Sequence, residues 1–402
     1  MLVNFSMRIG CFNTFFPYKN PLTNEILSKT GIGGGVENVV YILMVKMAER
    51  GHEIHVFSSS EDKNELIENY GKISVYRYKK NFEIGSSPVS FSLLFKPLIM
   101  KIDLDIVHAH LGNLPAPLIA YWYAKKRKKP FVITYHGEYV IGFGGPFRKF
   151  GVFLYHLYFA DKLFSNADAI IVPSNNIVTE SKLLKKYQDK IKVIPNGINL
   201  EEFEISLSKE KCRDKLDLPC DKKIILFVGN LIQIKALDVL LNAMKLVVDE
   251  VQDSYLVIAG SGQMQTELKN QSKKLGIEDK IRFVGYISDQ FSKTLYYKSA
   301  DVFVLPSISE CFPMVLLEAS ACGLPLVVSN LESLKAIVKD EYNGIFTITG
   351  DEKDLAKKLI YLLQNKDLRL KLGKNAKEHV KFFSMKRIAE ETEKVYLELI
   401  RK

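Results

Sequence analysis

Short apolar segments alternate with longer amphipathic segments along most of the chain, and this alternation restricts the possible folds more than any other feature. Such an alternation is typical of repeated strand–helix units, which form parallel sheets. The predicted strands are MRIGCF, HEIHVFSS, ISVYRY, DIVHAH, PFVITYH, AIIVPS and IKVIPNG in the first half, and KIILFVGN, SYLVIAG, KIRFVGY, DVFVLPS and LPLVVSN in the second. The sequence therefore predicts an α/β protein with doubly wound sheets.

The length of the chain, 402 residues, exceeds what one ordinary hydrophobic core accommodates and predicts two domains. Residues 198–222 are charged and lack a strong apolar period, as expected of a linker with a short helix. We predict one domain at residues 1–200, a second at 201–382, and a C-terminal helix at 383–402 that packs back on the first domain. Tandem doubly wound domains bind ligands at the carboxyl ends of their strands, so a cleft between them is the expected site.

The net charge of +10 is compatible with binding to nucleic acid, to anionic lipid or to a phosphorylated small molecule. The basic residues follow no RRM, KH or helix-turn-helix pattern, which disfavours nucleic acid. The cysteines have neither CxxC nor metal-ligand spacing, and they are Cys11, Cys212, Cys220, Cys311 and Cys322. Without a recognisable signal peptide or an apolar run long enough to cross a bilayer, the sequence predicts a reduced, cytoplasmic protein.

A glycine triplet follows the first predicted strand. Gly33, Gly34 and Gly35 precede a helix that carries Glu37. Glycines let backbone N–H groups approach a ligand closely, and a helix N-terminus favours an anion. A flexible turn is the simpler alternative. The spacing does not match GxGxxG with an acidic partner, so a nicotinamide cofactor is not supported.

Three histidines lie in or after two predicted strands of the first domain. His136 stands where a strand ends and a glycine turn begins, which points its imidazole into the expected crevice. His108 lies inside its strand and is expected to be a core residue. His110, at the end of that strand, fits either role. A lone histidine is more often structural than catalytic.

In the second domain, Lys235 follows the strand KIILFVGN, and Asp238 is predicted to cap the next helix. A lysine beside a helix N-terminus suits a phosphate, whereas a solvated surface lysine is the alternative. Gly260 and Gly262 follow the strand SYLVIAG in the same manner.

Two glutamates stand within the otherwise apolar stretch of residues 307–330. We predict a helix with Pro313 at its first position and Gly323 as its terminator, which places Glu310 in the preceding loop and Glu318 on the helix. Each carboxylate can accept hydrogen bonds from the hydroxyls of one sugar ring, and the helix N-terminus between them suits a diphosphate. The pattern fits a nucleotide sugar. The alternative is a solvated Glu318 and a loop charge at Glu310.

Together these segments resemble the retaining glycosyltransferases of family 4. The resemblance covers nearly the whole chain and rests on GGGVENVV, DIVHAH, TYHGEY, ADAIIVPS, IPNGINLEEF, FVGNLIQIK, AGSGQM and ADVFVLPSISECFPMVLLEASACGLPLVVSN. The last segment is very specific, whereas the glycine stretches are not. The resemblance implies the GT-B fold, with an acceptor-binding and a nucleotide-sugar-binding Rossmann-like domain, an inter-domain cleft, and a C-terminal helix that returns to the N-terminal domain.

The resemblance also implies roles for the candidate residues. His136 and Glu310 would be catalytic, with His136 near the reacting centre and Glu310 on the donor sugar hydroxyls. Glu318 would bind the nucleotide ribose and Lys235 the diphosphate. The other implied donor-binding residues are Asn230, Gly260, Gly262, Phe312, Pro313, Met314 and Val315, of which those from Phe312 to Val315 act through backbone amides. The implied phosphate and acceptor loop comprises Gly33, Gly34, Gly35, Glu37 and His110.

The implied activity is hexosyl transfer from a UDP- or GDP-sugar to a hydroxyl of a glycan or lipid-linked acceptor, with retention of the anomeric configuration. No metal ion or other cofactor is implied. The segment DLD, at residues 103–105, matches a DxD metal pattern, but it precedes a strand and would lie at the wrong end of the sheet. A nucleotide-sugar epimerase or another GT-B nucleotide-sugar enzyme is the alternative, and a nucleic-acid-binding protein is a remote one.

Three positions depart from the family pattern. Asn230 stands where many members have an arginine that pairs with the lysine, Ala236 replaces a common glycine, and Cys311 replaces a common small residue. We expect these substitutions to affect the geometry of the bound donor.

Two segments suggest contact with an anionic membrane surface. Residues 125–129 are all basic and end a predicted helix, and residues 145–164 form an aromatic-rich predicted helix. For that helix, packing in the core and contact with lipid are weighed equally. The sequence thus predicts a cytoplasmic enzyme and gives peripheral attachment at the inner membrane face as one hypothesis.

Overall fold

The computed structural model of the protein describes residues 6–22, 35–60, 64–84, 87–111, 114–137 and 155–401. The chain divides into two compact units. The first unit contains residues 1–197 and 385–402, and the second contains residues 198–384. Each unit has its own large sheet and its own hydrophobic core.

The first unit contains ten of the described strands. They are β1 (Arg8–Phe12), β2 (Glu53–Ser59), β3 (Leu66–Tyr70), β4 (Ile73–Tyr78), β5 (Phe82–Ile84), β6 (Ser87–Val89), β7 (Ile106–Leu111), β8 (Phe131–Tyr135), β9 (Ala169–Val172) and β10 (Ile191–Val193). Eight of them form one sheet in the order β10-β9-β8-β7-β1-β2-β4-β3, and β5 pairs with β6 in a separate hairpin. All neighbours in the large sheet are parallel except β3 and β4.

The helices described between these strands are α1 (Gly35–Glu49), α2 (Phe91–Ile99), α3 (Ala116–Arg127), α4 (Asp161–Asn166), α5 (Asn175–Glu180) and α6 (Lys182–Lys185). A π-helical segment, Tyr155–Ala160, precedes α4, and a 3₁₀ turn, Gln188–Lys190, precedes β10. Helix α1 begins at Gly35, so Gly35 and Glu37 belong to the helix rather than to a loop before it. Gly33 and Gly34 lie outside the described residues, as do residues 145–154 of the predicted aromatic helix.

The second unit is a single parallel sheet with its helices. Its strands are β11 (Lys223–Val228), β12 (Ser254–Ala259), β13 (Ile281–Gly285), β14 (Val302–Leu305), β15 (Leu326–Ser329) and β16 (Gly344–Thr347). Its helices are α7 (Lys209–Lys215), α8 (Leu237–Glu250), α9 (Gln265–Lys274), α10 (Gln290–Ser299), α11 (Met314–Ala321), α12 (Glu352–Gln364) and α13 (Lys366–His379). Short 3₁₀ segments cover Leu200–Phe203, Gln233–Lys235, Glu278–Lys280, Glu332–Ala336 and Val380–Phe383.

The strand order of this second sheet is β13-β12-β11-β14-β15-β16, which is the order of a Rossmann-like doubly wound sheet. The order reverses at β11, whose neighbours are β12 and β14. Ligands of such sheets bind at this switch point, outside the carboxyl ends of the strands. The topology therefore points to the loops that follow β11, β12 and β14.

The last helix, α14 (Met385–Ile400), packs in the first unit, as predicted. Ile388, Ala389 and Tyr396 belong to the core of that unit. Glu393 accepts a hydrogen bond from Arg50 Nε at 3.0 Å, and its Oε1 lies 2.7 Å from His52 Nε2. None of the helices that the structure describes has the length and apolar content of a membrane span.

The structure differs from the prediction at several elements. All predicted strands are present, but β3, β5, β6 and β16 were missed because they are short or carry little apolar pattern. Asp238 does not cap α8, since Ala236 occupies the N-cap with a left-handed φ of 49° and Asp238 lies in the first turn. Pro313 is the N-cap of α11 instead of its first residue, whereas Gly323, with φ of 76°, follows that helix as predicted.

Candidate functional site

The loops after β11 and β14 meet at the switch point of the second sheet and bring Lys235 and Glu310 together. Lys235 Nζ donates to Glu310 Oε1 at 2.5 Å, although 75 residues separate them in the sequence. The loops are also joined through the backbone, because Ile308 N donates to Ile234 O at 2.9 Å. Both side chains are largely buried, with exposed fractions of 18% for Lys235 and 9% for Glu310. The structure thus joins two of the predicted site residues in one ion pair.

A second donor fixes the carboxylate of Glu310. Ser307 Oγ lies 2.7 Å from the same Oε1 and donates to it. Within the described ranges, both donors to this carboxylate bind Oε1, so Oε2 is left to accept hydrogen bonds from a ligand. Ser307 was not among the predicted site residues, although its place at the end of a predicted strand is the signal that would have indicated it.

Glu318 is held by two residues of α10. Lys293 Nζ donates to Oε1 at 2.6 Å, and Tyr297 Oη donates to Oε2 at 2.6 Å. The carboxylate is nearly buried, so the alternative of a solvated Glu318 is wrong. Burial and the neighbouring carboxylate raise the pKa of Tyr297 well above its usual value, which keeps the phenol protonated as a donor. Sequence reasoning missed Lys293 and Tyr297, whose i,i+4 spacing places them on one helical face.

Helix α11 begins between the two carboxylates. Its first N–H groups, including those of Met314 and Val315, have no acceptor within the helix and are available to a ligand. Pro313 has no N–H and so cannot donate as predicted. The side chain of Phe312 is buried against Phe383, with ring centroids 5.9 Å apart, so this residue can offer a ligand only its backbone.

Gly260 and Gly262 have a clear packing role. A Cβ atom at Gly260 would lie 1.8 Å from Gly229 O, and one at Gly262 would lie 2.4 Å from Leu231 O. The loops after β11 and β12 therefore approach so closely that neither position tolerates a side chain. This contact explains both glycines without a ligand, and their donor-binding role remains a prediction. Asn230, on the loop after β11, is exposed.

Cys311 lies between Glu310 and Phe312. Burial and the charge of Glu310 raise the pKa of its thiol to about 12. A thiol with this pKa is protonated at neutral pH, and the thiolate is the nucleophilic form. The Cys311 thiol therefore fills space beside Glu310 and does not act as a nucleophile.

In the first unit, neighbouring strands bring three histidines together. His110 Nδ1 lies 3.1 Å from His136 Nε2, and the rings of His108 and His110 have centroids 4.2 Å apart. His108 Nδ1 contacts Tyr396 Oη at 2.6 Å, and His108 Nε2 contacts Thr134 Oγ1 at 2.7 Å, as a core role requires. His136 directly follows β8 as predicted. His110 lies within β7 rather than at its end.

Burial keeps this histidine cluster neutral. It lowers the pKa of His136 to about 4 and that of His108 to about 3, and it holds the pKa of His110 well below 6.5. Within the described residues, His136 Nδ1 and His110 Nε2 have no hydrogen-bond partner. His136 therefore has a neutral ring with one nitrogen bonded to His110 and the other, Nδ1, buried without a partner among the described residues.

The lowered pKa values predict acid sensitivity of the fold. The unfolded chain binds protons on these histidines below about pH 6.5, whereas the folded chain does so only near pH 4 or below, so stability falls as the pH drops through this interval. His136 alone should lower the free energy of unfolding by about 2 kcal/mol at pH 5 relative to pH 7. Urea unfolding at the two pH values measures this loss. It should be smaller by about 2 kcal/mol in a His136→Asn variant, and an unchanged loss would contradict the prediction.

The DLD segment lies at the amino end of β7, away from the carboxyl ends of the strands. Asp103 is paired with Arg8 at 2.9 Å and with Lys129 at 2.7 Å. Over the residues that the structure describes, no group of three His, Cys, Asp or Glu side chains is arranged to hold a metal ion. The ion pairs of Asp103 therefore give the DLD segment a structural role just before β7.

Comparison with known families matches both units. The model of the family described as Glycosyltransferase Family 4 matches residues 33–202, and that described as Glycosyl transferases group 1 matches residues 208–379. An uncharacterized glycosyltransferase of Methanocaldococcus jannaschii is 32% identical over 369 residues, covering 87% of this chain and 90% of the relative. The alpha-monoglucosyldiacylglycerol synthase of Streptococcus pneumoniae is 28% identical over 364 residues, covering 87% and 77%.

Solved structures share the fold over nearly the whole chain. The sucrose-phosphate synthase of Thermosynechococcus elongatus matches with a TM-score of 0.77 and 22% identity, covering 98% of this chain and 99% of that one. The Anabaena protein HepE, solved in complex with UDP and glucose, matches with a TM-score of 0.72 and 17% identity, covering 97% and 99%. At these identities the likeness concerns the fold alone.

Proposed function

This chain belongs to the group 1 glycosyltransferases of family 4, and from that membership we propose that it transfers a hexose from a nucleotide sugar to a hydroxyl group with retention of the anomeric configuration. A UDP-sugar or a GDP-sugar is the proposed donor. HepE, which has the same fold, was solved with UDP and glucose, and this supports a donor of that class.

One observation carries the proposal: the ion pair of Lys235 with Glu310 at the switch point of the second sheet. A nucleotide sugar presents an anionic diphosphate directly beside a ring of hydroxyl groups. Lys235 offers a cation to the diphosphate, and Glu310 offers an acceptor to the hydroxyls, within one hydrogen-bond length of each other. The ion pair holds both side chains at the switch point, where we propose that the donor binds.

We assign the other end of the donor to Glu318. A carboxylate has about four acceptor positions, and Lys293 and Tyr297 occupy one on each oxygen. The remaining positions can accept the two hydroxyls of a ribose. The backbone N–H groups of Met314 and Val315, at the start of α11, lie in the sequence between the carboxylates and are proposed to bind the phosphates.

In the proposed reaction, the bond from the anomeric carbon to the phosphate oxygen breaks, and a bond to the acceptor oxygen forms on the same face of the sugar. The acceptor proton passes to the leaving phosphate oxygen. The protein positions the donor and stabilises developing charge, with neutral His136 as a partner of the donor sugar. The proposed reaction uses no metal ion or other cofactor.

A screen of nucleotide sugars tests this function. A donor that binds only the folded protein raises its stability, by about 2.7 kcal/mol at 100 times the dissociation constant. We expect a thermal shift with UDP- or GDP-sugars, and NMR of the product should show the anomeric configuration of the donor. If no nucleotide sugar shifts the melting temperature, the proposed function is wrong. Conversion of the donor without an acceptor would indicate an epimerase instead.

The assignment of Glu318 makes a separate prediction. We expect Glu318→Ala to raise the dissociation constant of the nucleotide about tenfold to hundredfold, because charge-assisted hydrogen bonds to the ribose are lost. Titration calorimetry measures the change. Tyr297→Phe is the matched control, since it removes one of the two donors to the same carboxylate but keeps the carboxylate. If Glu318→Ala lowers only the melting temperature, Glu318 serves Lys293 and Tyr297 rather than the nucleotide.

For the acceptor we propose a glycan or a lipid-linked hydroxyl, reached at the cytoplasmic face of a membrane. The relative from Streptococcus pneumoniae is, by its name, a synthase of a glucosyl lipid, and this supports the lipid alternative. The basic residues 125–129 supply positive charge at the end of α3, which supports attraction to an anionic surface.

A further inference from the structure

Helix α2 exposes an apolar face. Phe91, Phe95 and Ile99 follow one another at intervals of four residues, so they lie along one side of the helix. Their exposed fractions are 51%, 65% and 70%. The opposite side carries Leu93 and Pro97, which are buried. The helix is therefore anchored through one side and presents large hydrophobic side chains to solvent on the other.

This face continues onto two neighbouring elements. Phe82, in β5, is 45% exposed and packs edge-to-face on Phe91, with ring centroids 5.8 Å apart. A cavity of about 370 Å³ beside Ile99 is also lined by Leu66 and Ile67 of the edge strand β3, and both are exposed. We call the six residues the α2 surface. They are Leu66, Ile67, Phe82, Phe91, Phe95 and Ile99. The same cavity is lined by Lys96 and Glu65, which form an ion pair. An exposed apolar patch of this size marks an interaction site.

Positive charge adjoins the α2 surface. Helix α3 packs against α2 and ends in Lys125, Lys126 and Arg127, followed by Lys128. Arg127 Nη2 donates to the carbonyl oxygen of Met100, the C-cap residue of α2, at 2.7 Å. Over the described residues, no ion pair involves Lys125, Lys126 or Lys128, and all three are exposed. Uncompensated cations thus lie at the end of the apolar face.

We propose that the α2 surface and the basic end of α3 dock the protein on an anionic phospholipid bilayer. Aromatic and aliphatic side chains of a surface helix enter the boundary between headgroups and acyl chains, and adjacent lysines bind the anionic headgroups. Nine residues are too few to cross a bilayer, so α2 lies in the plane of the interface. The positive charge at the end of α3 favours an anionic bilayer over a purely apolar protein partner, because such a partner would leave four cations without counterions.

The proposal rests on the proposed function in one respect, since a lipid-linked acceptor gives the docked enzyme its substrate. It differs from the sequence prediction in its location. That prediction chose the basic residues 125–129, which the proposal retains, and residues 145–164, of which 145–154 lie outside the described residues. For the apolar contact the structure indicates α2, which sequence reasoning did not single out.

Vesicle sedimentation of the full chain tests the apolar face. We expect binding to phosphatidylcholine vesicles that contain phosphatidylglycerol, and a reduction in binding of tenfold or more in the double variant Phe91→Ser and Phe95→Ser. Phe→Ser changes helix propensity little, so α2 should persist. The matched control is Phe291→Ser in the second unit, which removes a phenylalanine of similar exposure, 53%, and should bind like the wild type. Equal binding by the double variant and the control would overturn the proposal.

The basic end of α3 is tested in the same assay. Lys125→Gln with Lys126→Gln should weaken binding by about fivefold per lysine at low salt, and the effect should shrink as salt is added. Lys273→Gln with Lys274→Gln, at the exposed end of α9, removes the same charge elsewhere and is the control. Equal loss in the two lysine variants would show attraction by net charge alone and would overturn the assigned surface.

Two further measurements separate this proposal from its alternatives. If the α2 surface instead joined two copies of the chain, ultracentrifugation would show a dimer that the double phenylalanine variant dissociates, and the membrane proposal would be wrong. Thermal shift by nucleotide sugars is measured on the same variants. Nucleotide binding without vesicle binding would contradict the docking proposal alone. Vesicle binding without nucleotide binding would contradict only the proposed function.

Discussion

Replacement of Glu310 by glutamine is expected to lower kcat for sugar transfer by about 10²-fold to 10³-fold. Glutamine preserves the size of the side chain but removes its negative charge. The carboxylate would then no longer accept charge-assisted hydrogen bonds from the donor sugar, and Lys235 would lose the counterion that positions it. Steady-state kinetics with the donor identified by thermal shift provide the measurement.

The matched control for this variant is Glu378→Gln on α13. Glu378 also accepts from a lysine, Lys381, at 2.6 Å, but both side chains are mostly exposed. Loss of an exposed pair costs little, so the control should keep wild-type rates. The melting temperature of Glu310→Gln shows whether the fold survives. Wild-type-like turnover in Glu310→Gln would remove the basis for placing the donor sugar at this carboxylate.

Replacement of His136 by alanine is expected to lower kcat by about 10²-fold or more while the nucleotide dissociation constant changes little. The neutral ring has a nitrogen without a protein partner among the described residues, and in the proposed reaction this nitrogen contacts the donor sugar. Glu318, Lys235 and the start of α11, which are proposed to hold the nucleotide, remain unchanged. Single-turnover kinetics and calorimetry on the same preparation separate the two effects.

His55→Ala is the control, because His55 is a buried histidine of the same unit that lies in β2, outside the cluster. It should turn over like the wild type. The kcat of a His110→Ala variant should fall between the values for His136→Ala and His55→Ala. This variant removes the neighbour at 3.1 Å that orients His136 but leaves His136 itself. If His136→Ala weakens nucleotide binding as strongly as it lowers kcat, its role is structural rather than catalytic.

The strands with the clearest sequence signal are those buried on both faces. Strands of a parallel sheet covered on both faces form nearly continuous apolar runs, and β9, β11 and β14 are such runs. Strand β3, LIENY, lies at the edge of its sheet and is mostly exposed, so it carries no such signal. Strand β16, GIFT, is the edge strand of the second sheet and begins with a glycine. Their places depend on a neighbouring strand rather than on their own composition.

For the candidate site, the sequence predicted residues but not their partners. Lys235 and Glu310 were each predicted from a position after a strand, yet their ion pair spans 75 residues. Glu318 was predicted to bind the ribose of a nucleotide. Its hydrogen-bond donors Lys293 and Tyr297 come from a helix that no motif indicated. Gly260 and Gly262 were assigned to the donor, and the structure shows a backbone contact that requires them in any case.

The sequence by itself determined the alternation of strands and helices, the two halves of the chain, and the loops in which the candidate site residues lie. These properties follow from local periodicity, which records whether a segment is buried on one face or on both. Only the tertiary structure decided that β11 and β14 are neighbours, that His110 contacts His136, and that α2 leaves its phenylalanines exposed. The reason is physical: strand order and the partner of a helical face depend on contacts between distant segments, and a local pattern specifies that a face is apolar without specifying what covers it.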